Sequence, residues 1–235
     1  MPKVKFYYDY KKDAWSWVFI VKDKCSFWGL DKKQQMIFIP DDLLKQIKRK
    51  NRRDAEKIVL NFLQNHPKKE IRQKTIKEQI KAVEAVWTSI ENKFLSRLAE
   101  ITQTPEYFPT FKCYMTTGFI CPYNEKERWF MVSLWHNVAK NIMVIAHEIM
   151  HLHFLHYYKK NCYKFLNKKE TEDLKEGITF ILNTDFNDLI LIEDPGYPAH
   201  KKLRTKLEKE WNKEKDFKKF LDKAIKIIKD EKNHL

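Results

Sequence analysis

The stretch Val144-Ile145-Ala146-His147-Glu148-Ile149-Met150-His151 sets two histidines four residues apart, with a glutamate directly after the first. On a helix, residues i and i+4 stack one above the other, so both imidazoles reach a single ion. Glu148 lies about 100° around from His147, close enough to hold a water beside the ion and not aimed to ligate it. This is the H-E-x-x-H pattern of metal-assisted hydrolysis, in which the carboxylate serves as general base. With His147 at 0°, His151 falls near 40°, and Val144 and Phe154 share that side. Val138, Ile142, Ile145, Ile149 and Leu152 gather at about 140–220°. Such a helix buries its back and turns both imidazoles toward a cleft; the competing reading is a histidine pair hydrogen-bonded in a core.

The neighbouring histidines fit the ligand face less well. His156 sits on the apolar side and His153 on the flank, which suits packed or surface residues. His136 precedes the helix, where it either caps it or reaches the cleft. Catalytic zinc usually takes three protein ligands and leaves a place for water. The extended H-E-x-x-H-x-x-G-x-x-H layout is excluded, because Phe154 and Tyr157 stand where it wants Gly and His. A carboxylate from a later helix remains, and Glu170, Glu172 and Glu176 all follow His151 at suitable range. Two imidazoles and a carboxylate favour Zn2+ over other divalent ions.

Leu174-Lys175-Glu176-Gly177-Ile178-Thr179 resembles the E-G-x-[AST] segment of the gluzincin metallopeptidases, the clan of thermolysin and the aminopeptidase N-like enzymes. In those enzymes a second helix after the H-E-x-x-H helix carries a zinc-binding glutamate. The resemblance, which runs from Val144 to Leu182, therefore implies Glu176 as third ligand and peptide-bond hydrolysis as the reaction. The residues agree: Leu174, Ile178 and Ile181 make the turn half-buried, and Gly177 lets two helices approach closely, while Glu170 and Glu172 lie in the Lys168–Asp173 charge run. The chain departs from the clan in lacking a G-[AT]-M-E-N loop. It also has Phe180 four residues after Glu176, where thermolysin-like enzymes keep a carboxylate behind the ligands.

In the mechanism this implies, Glu148 takes a proton from the attacking water and passes it to the leaving amine. The oxyanion needs a donor, and Gly196-Tyr197-Pro198-Ala199-His200 offers a phenol and an imidazole on a loop that also reads as a plain structural turn. Tyr197 and His200 are the candidates there. Peptides commonly add to a sheet edge, and Trp129–Leu134 stands where such a strand is expected, although a core strand has the same pattern.

These residues need a scaffold. Val4–Tyr8, Trp15–Val21 and Met36–Ile39 read as strands, with Asp9–Asp13 as a turn. Helical pattern follows from Pro40-Asp41-Asp42 to about Glu100, clearest in Ile76, Ile80, Val83, Trp87, Ile90, Phe94 and Leu98. Strands are expected near Phe111–Tyr114 and Arg128–Leu134, then helices over Asn137–Tyr158 and Glu170–Leu182. One last helix from about Lys201 has Leu203, Leu207, Trp211, Phe217, Leu221, Ala224 and Ile228 as its apolar line.

The expected fold is α+β and zincin-like, a small mixed or antiparallel sheet packed on several helices. It forms one domain, β-rich over about 1–40, helical over about 41–104, zinc-binding over about 105–200, with a C-terminal helix.

With 43% hydrophobic and 14% aromatic residues the 235-residue chain is globular. Only four glycines are present and no glycine-rich phosphate loop, which excludes the common nucleotide-binding turns. No apolar leader or membrane span is read at the sequence level, and Cys25, Cys113, Cys121 and Cys162 show no C-x-x-C pairing, so reduced thiols, a cytoplasmic setting and a peptide or protein substrate are expected. The charge of +14 and the run Lys45–Arg53 leave nucleic-acid binding as the rival function. A zincin scaffold retired to binding is a further alternative, opposed by the intact Glu148.

Overall fold

In the computed structural model, residues 3–23, 32–106 and 110–232 are described. The chain divides into two units, residues 1–88 with 110–145 and residues 89–109 with 146–235.

The first unit is built on a four-stranded sheet of order β1-β2-β4-β3. Strands β1 (Val4–Tyr8), β2 (Phe111–Thr116) and β4 (Trp129–Ser133) are parallel, with Phe6 opposite Cys113 and Cys113 opposite Phe130. Short β3 (Tyr123–Asn124) runs antiparallel to β4. The sheet is thus mixed, and β4 lies inside it. On its outer side Met131 N–H donates to Pro122 O, and Ser133 O accepts from Asn141 Nδ2 at 3.0 Å. Those bonds take positions that an added peptide strand would use.

Two expected strands are not strands. Trp15–Val21 belongs to α1 (Tyr10–Lys22), which Asp9 caps by accepting from Lys12 N–H at 2.8 Å. The β-branched and aromatic residues of this run favour a strand, yet Ala14, Trp17, Val18 and Val21 are also spaced for one helix face. That face is buried with Ile39, Leu43, Ile47, Ala55, Val59 and Leu63. Met36–Ile39 closes α2 (Lys32–Met36) with a turn in which Ile39 N–H donates to Met36 O, and Pro40 then opens α3 (Asp41–Arg49). Helices α4 (Arg52–Asn65) and the long α5 (Lys69–Thr102) follow.

The reason α1 must be a helix is visible at Asp13, a buried carboxylate on its inner face. Its oxygens accept from Tyr8 OH, Thr116 Oγ1, Thr117 N–H and Thr117 Oγ1 at 2.8–3.0 Å. These bonds tie α1 to the ends of β1 and β2. Burial pushes the Asp13 carboxyl upward in pKa, against the pull of the bonds from Thr117 and Thr116.

The second unit holds the last turns of α5, the later part of α6 (Val138–Cys162), α7 (Lys168–Gly177), a 3-10 turn at Ile178–Phe180, α8 (Ile181–Asp185), α9 (Lys201–Lys213) and α10 (Phe217–Lys232). The single C-terminal helix expected is therefore two. From Trp211 to Phe217 the apolar line advances six residues, about 240° around a helix, so one straight helix cannot bury both. The break lets them meet, with ring centroids 6.3 Å apart, while Asp216 caps α10 through Lys219 N–H. No described helix is long and apolar enough to cross a membrane. Cys113, Cys121 and Cys162 carry thiols, and Cys25 lies outside the described residues.

Candidate metal centre

Helix α6 differs from the amphipathic helix expected. Every residue from Asn141 to Leu155 is buried, so the helix is covered all round. His151 is 1% exposed, Glu148 5% and His147 8%, so all three are buried.

The second helix decides among the three glutamates. Glu170 closes a capping box: its Oε2 accepts from Asn167 N–H at 2.7 Å, and its own N–H donates to Asn167 Oδ1. Glu172 pairs with Lys175 Nζ at 2.8 Å. Glu176, two helical turns in, points at the histidines. Its Oε2 lies 3.4 Å from His147 Nε2 and 3.3 Å from His151 Nε2. The ligand atoms of His147, His151 and Glu176 all lie within 4.8 Å of one another.

These separations fit an ion. For a tetrahedral ion with bonds of about 2.05 Å, neighbouring ligand atoms stand about 3.3 Å apart. Glu176 Oε2 is buried and has no hydrogen-bond partner. Its other oxygen is held by the buried Lys175 Nζ at 3.1 Å, which leaves Oε2 facing the imidazoles. A cation among these three atoms would satisfy them together.

Behind His147 stands a carboxylate that sequence reasoning missed. Asp194 Oδ2 accepts from His147 Nδ1 at 3.2 Å, which turns Nε2 toward Glu176. The charges follow. Burial disfavours a charged His147, but Asp194 and Glu176 outweigh it and push its pKa up to about 10. Glu176 is held well below the usual carboxylate range: burial opposes this, and His151, His147 and Lys175 prevail. Asp194 is likewise lowered, against burial, by His147 and Arg204. The two carboxylates thus favour a positive charge on His147 itself. Glu148 lies beside it, Oε2 at 3.6 Å from His151 Nδ1, buried and without a hydrogen-bond partner on that oxygen.

No family model, curated protein or solved structure matches the chain. The site is thus read from its own geometry.

The other candidates are placed as follows. His200 is buried, with Nε2 3.0 Å from Asp173 Oδ1, and the Tyr197 ring stands edge-on to it at 6.2 Å. His153 is packed against Thr102 and Thr104, its Nε2 2.8 and 3.1 Å from their hydroxyls, and burial drives its pKa down to about 3. His156, expected on the apolar side, is exposed and lies edge-on to Tyr157. In the first unit, the side chains of Lys45, Lys48, Arg49, Lys50, Arg52 and Arg53 are solvated. Trp17 is buried in the core with Phe38 edge-on at 4.8 Å.

Asp194 escaped notice because Glu193-Asp194-Pro195-Gly196 reads as a turn, in which an aspartate is ordinary. Arg204 escaped because it sits beside Leu203 in a lysine-rich helix, where a cation reads as solvated; it is 7% exposed.

Proposed function

We propose that this chain is a zinc-dependent metallopeptidase of zincin-like fold, with His147, His151 and Glu176 as ligands and Glu148 as general base. The observation that carries it is the Glu176 oxygen, buried without a hydrogen bond at 3.3 and 3.4 Å from two imidazole nitrogens. Two imidazoles and one carboxylate are the donor set of catalytic zinc. Peptide as substrate rests on the resemblance of Val144–Leu182 to gluzincins.

A zinc ion bound there supplies Lewis acidity toward a carbonyl oxygen and lowers the pKa of water toward neutrality. The rest is the work of side chains. Glu148 accepts a proton from the attacking water and returns it to the departing amine. Lys175 holds Glu176 to one coordinating oxygen. His200, oriented by Asp173, and Tyr197 are the proposed donors to the oxyanion.

Elemental analysis of the purified protein beside His147→Ala, Glu176→Ala and Glu148→Gln tests this. About one zinc per chain is expected in the parent and in Glu148→Gln, and none in the other two. Turnover of a peptide library should fall by about 10²–10⁴ in Glu148→Gln. Absence of metal from the parent after zinc addition, or its retention in both ligand variants, overturns the reading.

A further inference from the structure

Arg204, on α9, bonds the residues that stand behind two of the three proposed ligands, Asp194 behind His147 and Thr179 behind Glu176. Its Nη1 donates to Asp194 Oδ2 at 3.1 Å, the same oxygen that receives His147 Nδ1. Its Nη2 donates to Asp194 O at 2.9 Å. Nη1 also donates to Thr179 Oγ1, and that hydroxyl in turn donates to the backbone carbonyl of Glu176 at 2.9 Å. One guanidinium therefore connects the support of His147 with the turn that carries Glu176.

The surroundings are shaped to this contact. Asp194 N–H donates to Asn183 Oδ1 at 2.7 Å, Asn183 Nδ2 donates back to Asp194 O at 2.9 Å, and Gly196 N–H donates to Asp194 Oδ1. Gly196 has φ of +61°, and a Cβ there would lie 2.6 Å from Arg204 Cδ and 2.8 Å from its Cζ. The loop backbone thus passes directly against the guanidinium, and only glycine allows both the turn and the approach. Phe180, one helical turn after Glu176, is 2% exposed and offers no carboxylate to His147. Asp194 reaches His147 from a later loop and so needs an anchor that a helical carboxylate would not.

We infer that Arg204 is a positioning residue for the metal site, clamping Asp194 and, through Thr179, the Glu176 turn, so that α9 sets the affinity for the ion. This rests on the metal reading above and extends it to a residue outside ligand range. Arginine suits the task because its planar fork serves three acceptors at once, which a lysine ammonium on a flexible stem does not do in the same geometry.

The test is binding of Co2+ and Zn2+ by chelator competition, with the visible cobalt spectrum, on the parent, Asp194→Asn, Arg204→Lys and, as control, Arg97→Lys, which loosens the Asp188 pair. Circular dichroism of the metal-free proteins establishes that each is folded. Asp194→Asn and Arg204→Lys should each weaken binding about 10–100-fold and shift the cobalt bands, because support of this kind alters the ligand field as well as affinity. The double variant should lose less than the product of the two, since both act on one link. Arg97→Lys should change neither readout. If the parent binds cobalt and Arg204→Lys binds it equally well, Arg204 has no positioning role and the metal reading stands. Weaker binding with an unchanged spectrum means general loosening and also refutes the inference. A parent that binds neither ion removes both readings together.

Discussion

Replacing Gly177 with alanine tests whether the close approach of α7 to α9 is what holds Glu176, the proposed ligand, in place. Gly177 has φ −60° and ψ −41°, so alanine meets no backbone strain there. Helix propensity alone would favour it by about 1 kcal/mol. Against this, the new Cβ would stand 2.8 Å from Leu207 Cδ1 and 3.2 Å from Leu203 Cδ2. Carbon atoms settle at about 3.5–4.0 Å, so about 0.7 Å must come from moving the helices apart or turning the leucines. Both leucines are buried, Leu207 completely, so turning them displaces further neighbours. Overpacking of this kind costs about 1–3 kcal/mol, which leaves a net loss of about 1 kcal/mol for the metal-free protein. A second consequence is specific to the site. Moving α7 away from α9 stretches the Arg204 links to Thr179 and Asp194, and zinc affinity should fall about tenfold, as for loss of a supporting group. Urea unfolding in chelator, followed by circular dichroism, reads the first effect, and chelator competition for zinc reads the second. An alanine variant as stable as its parent with the same zinc affinity would refute the reasoning.

Two further predictions concern titration and thiol chemistry. Burial, helped by Lys140, lowers His136 from 6.5 to about 4. Because the unfolded chain takes up this proton first, the stability is intact above pH 6.5 and is lost as pH falls through the window down to about 4. The loss is about 2 kcal/mol after allowing for the partly open side of the residue; pH-dependent unfolding of His136→Gln should lack this slope, and parallel curves would count against it. In a Cys25→Ser background at pH 8, an aromatic disulfide reagent should modify half-buried Cys121 and spare Cys113 and Cys162, both fully buried, the latter raised to about 11 by burial. Native Cys162 reacting as fast as in urea would contradict this.

The helices were legible where one face carried the pattern. The line from Ile76 to Leu98 lies within α5, and the H-E-x-x-H segment lies within α6, because local spacing and the absence of glycine or proline leave a helix as the only way to bury those side chains together. In Trp15–Val21 the β-branched and aromatic content favours a strand, while the spacing of Ala14, Trp17, Val18 and Val21 favours a helix. Burial against α3 and α4, and the need to aim Asp13 at Thr117, outweighed intrinsic propensity. The α9–α10 break was also present in the sequence, in the six-residue step from Trp211 to Phe217.

The sequence by itself determined which residues form the H-E-x-x-H group, since i and i+4 geometry is a property of the helix alone. It narrowed the partner carboxylate to Glu170, Glu172 and Glu176. Only the tertiary structure separated these, by giving Glu170 to the α7 cap, Glu172 to Lys175, and the Glu176 oxygen to the two imidazoles. It also brought Asp194 to His147 across 47 residues and Arg204 to Thr179 across 25. No periodicity encodes such meetings. They depend on where a loop and a later helix come to rest, and Asn183 and Arg204 hold Asp194 there.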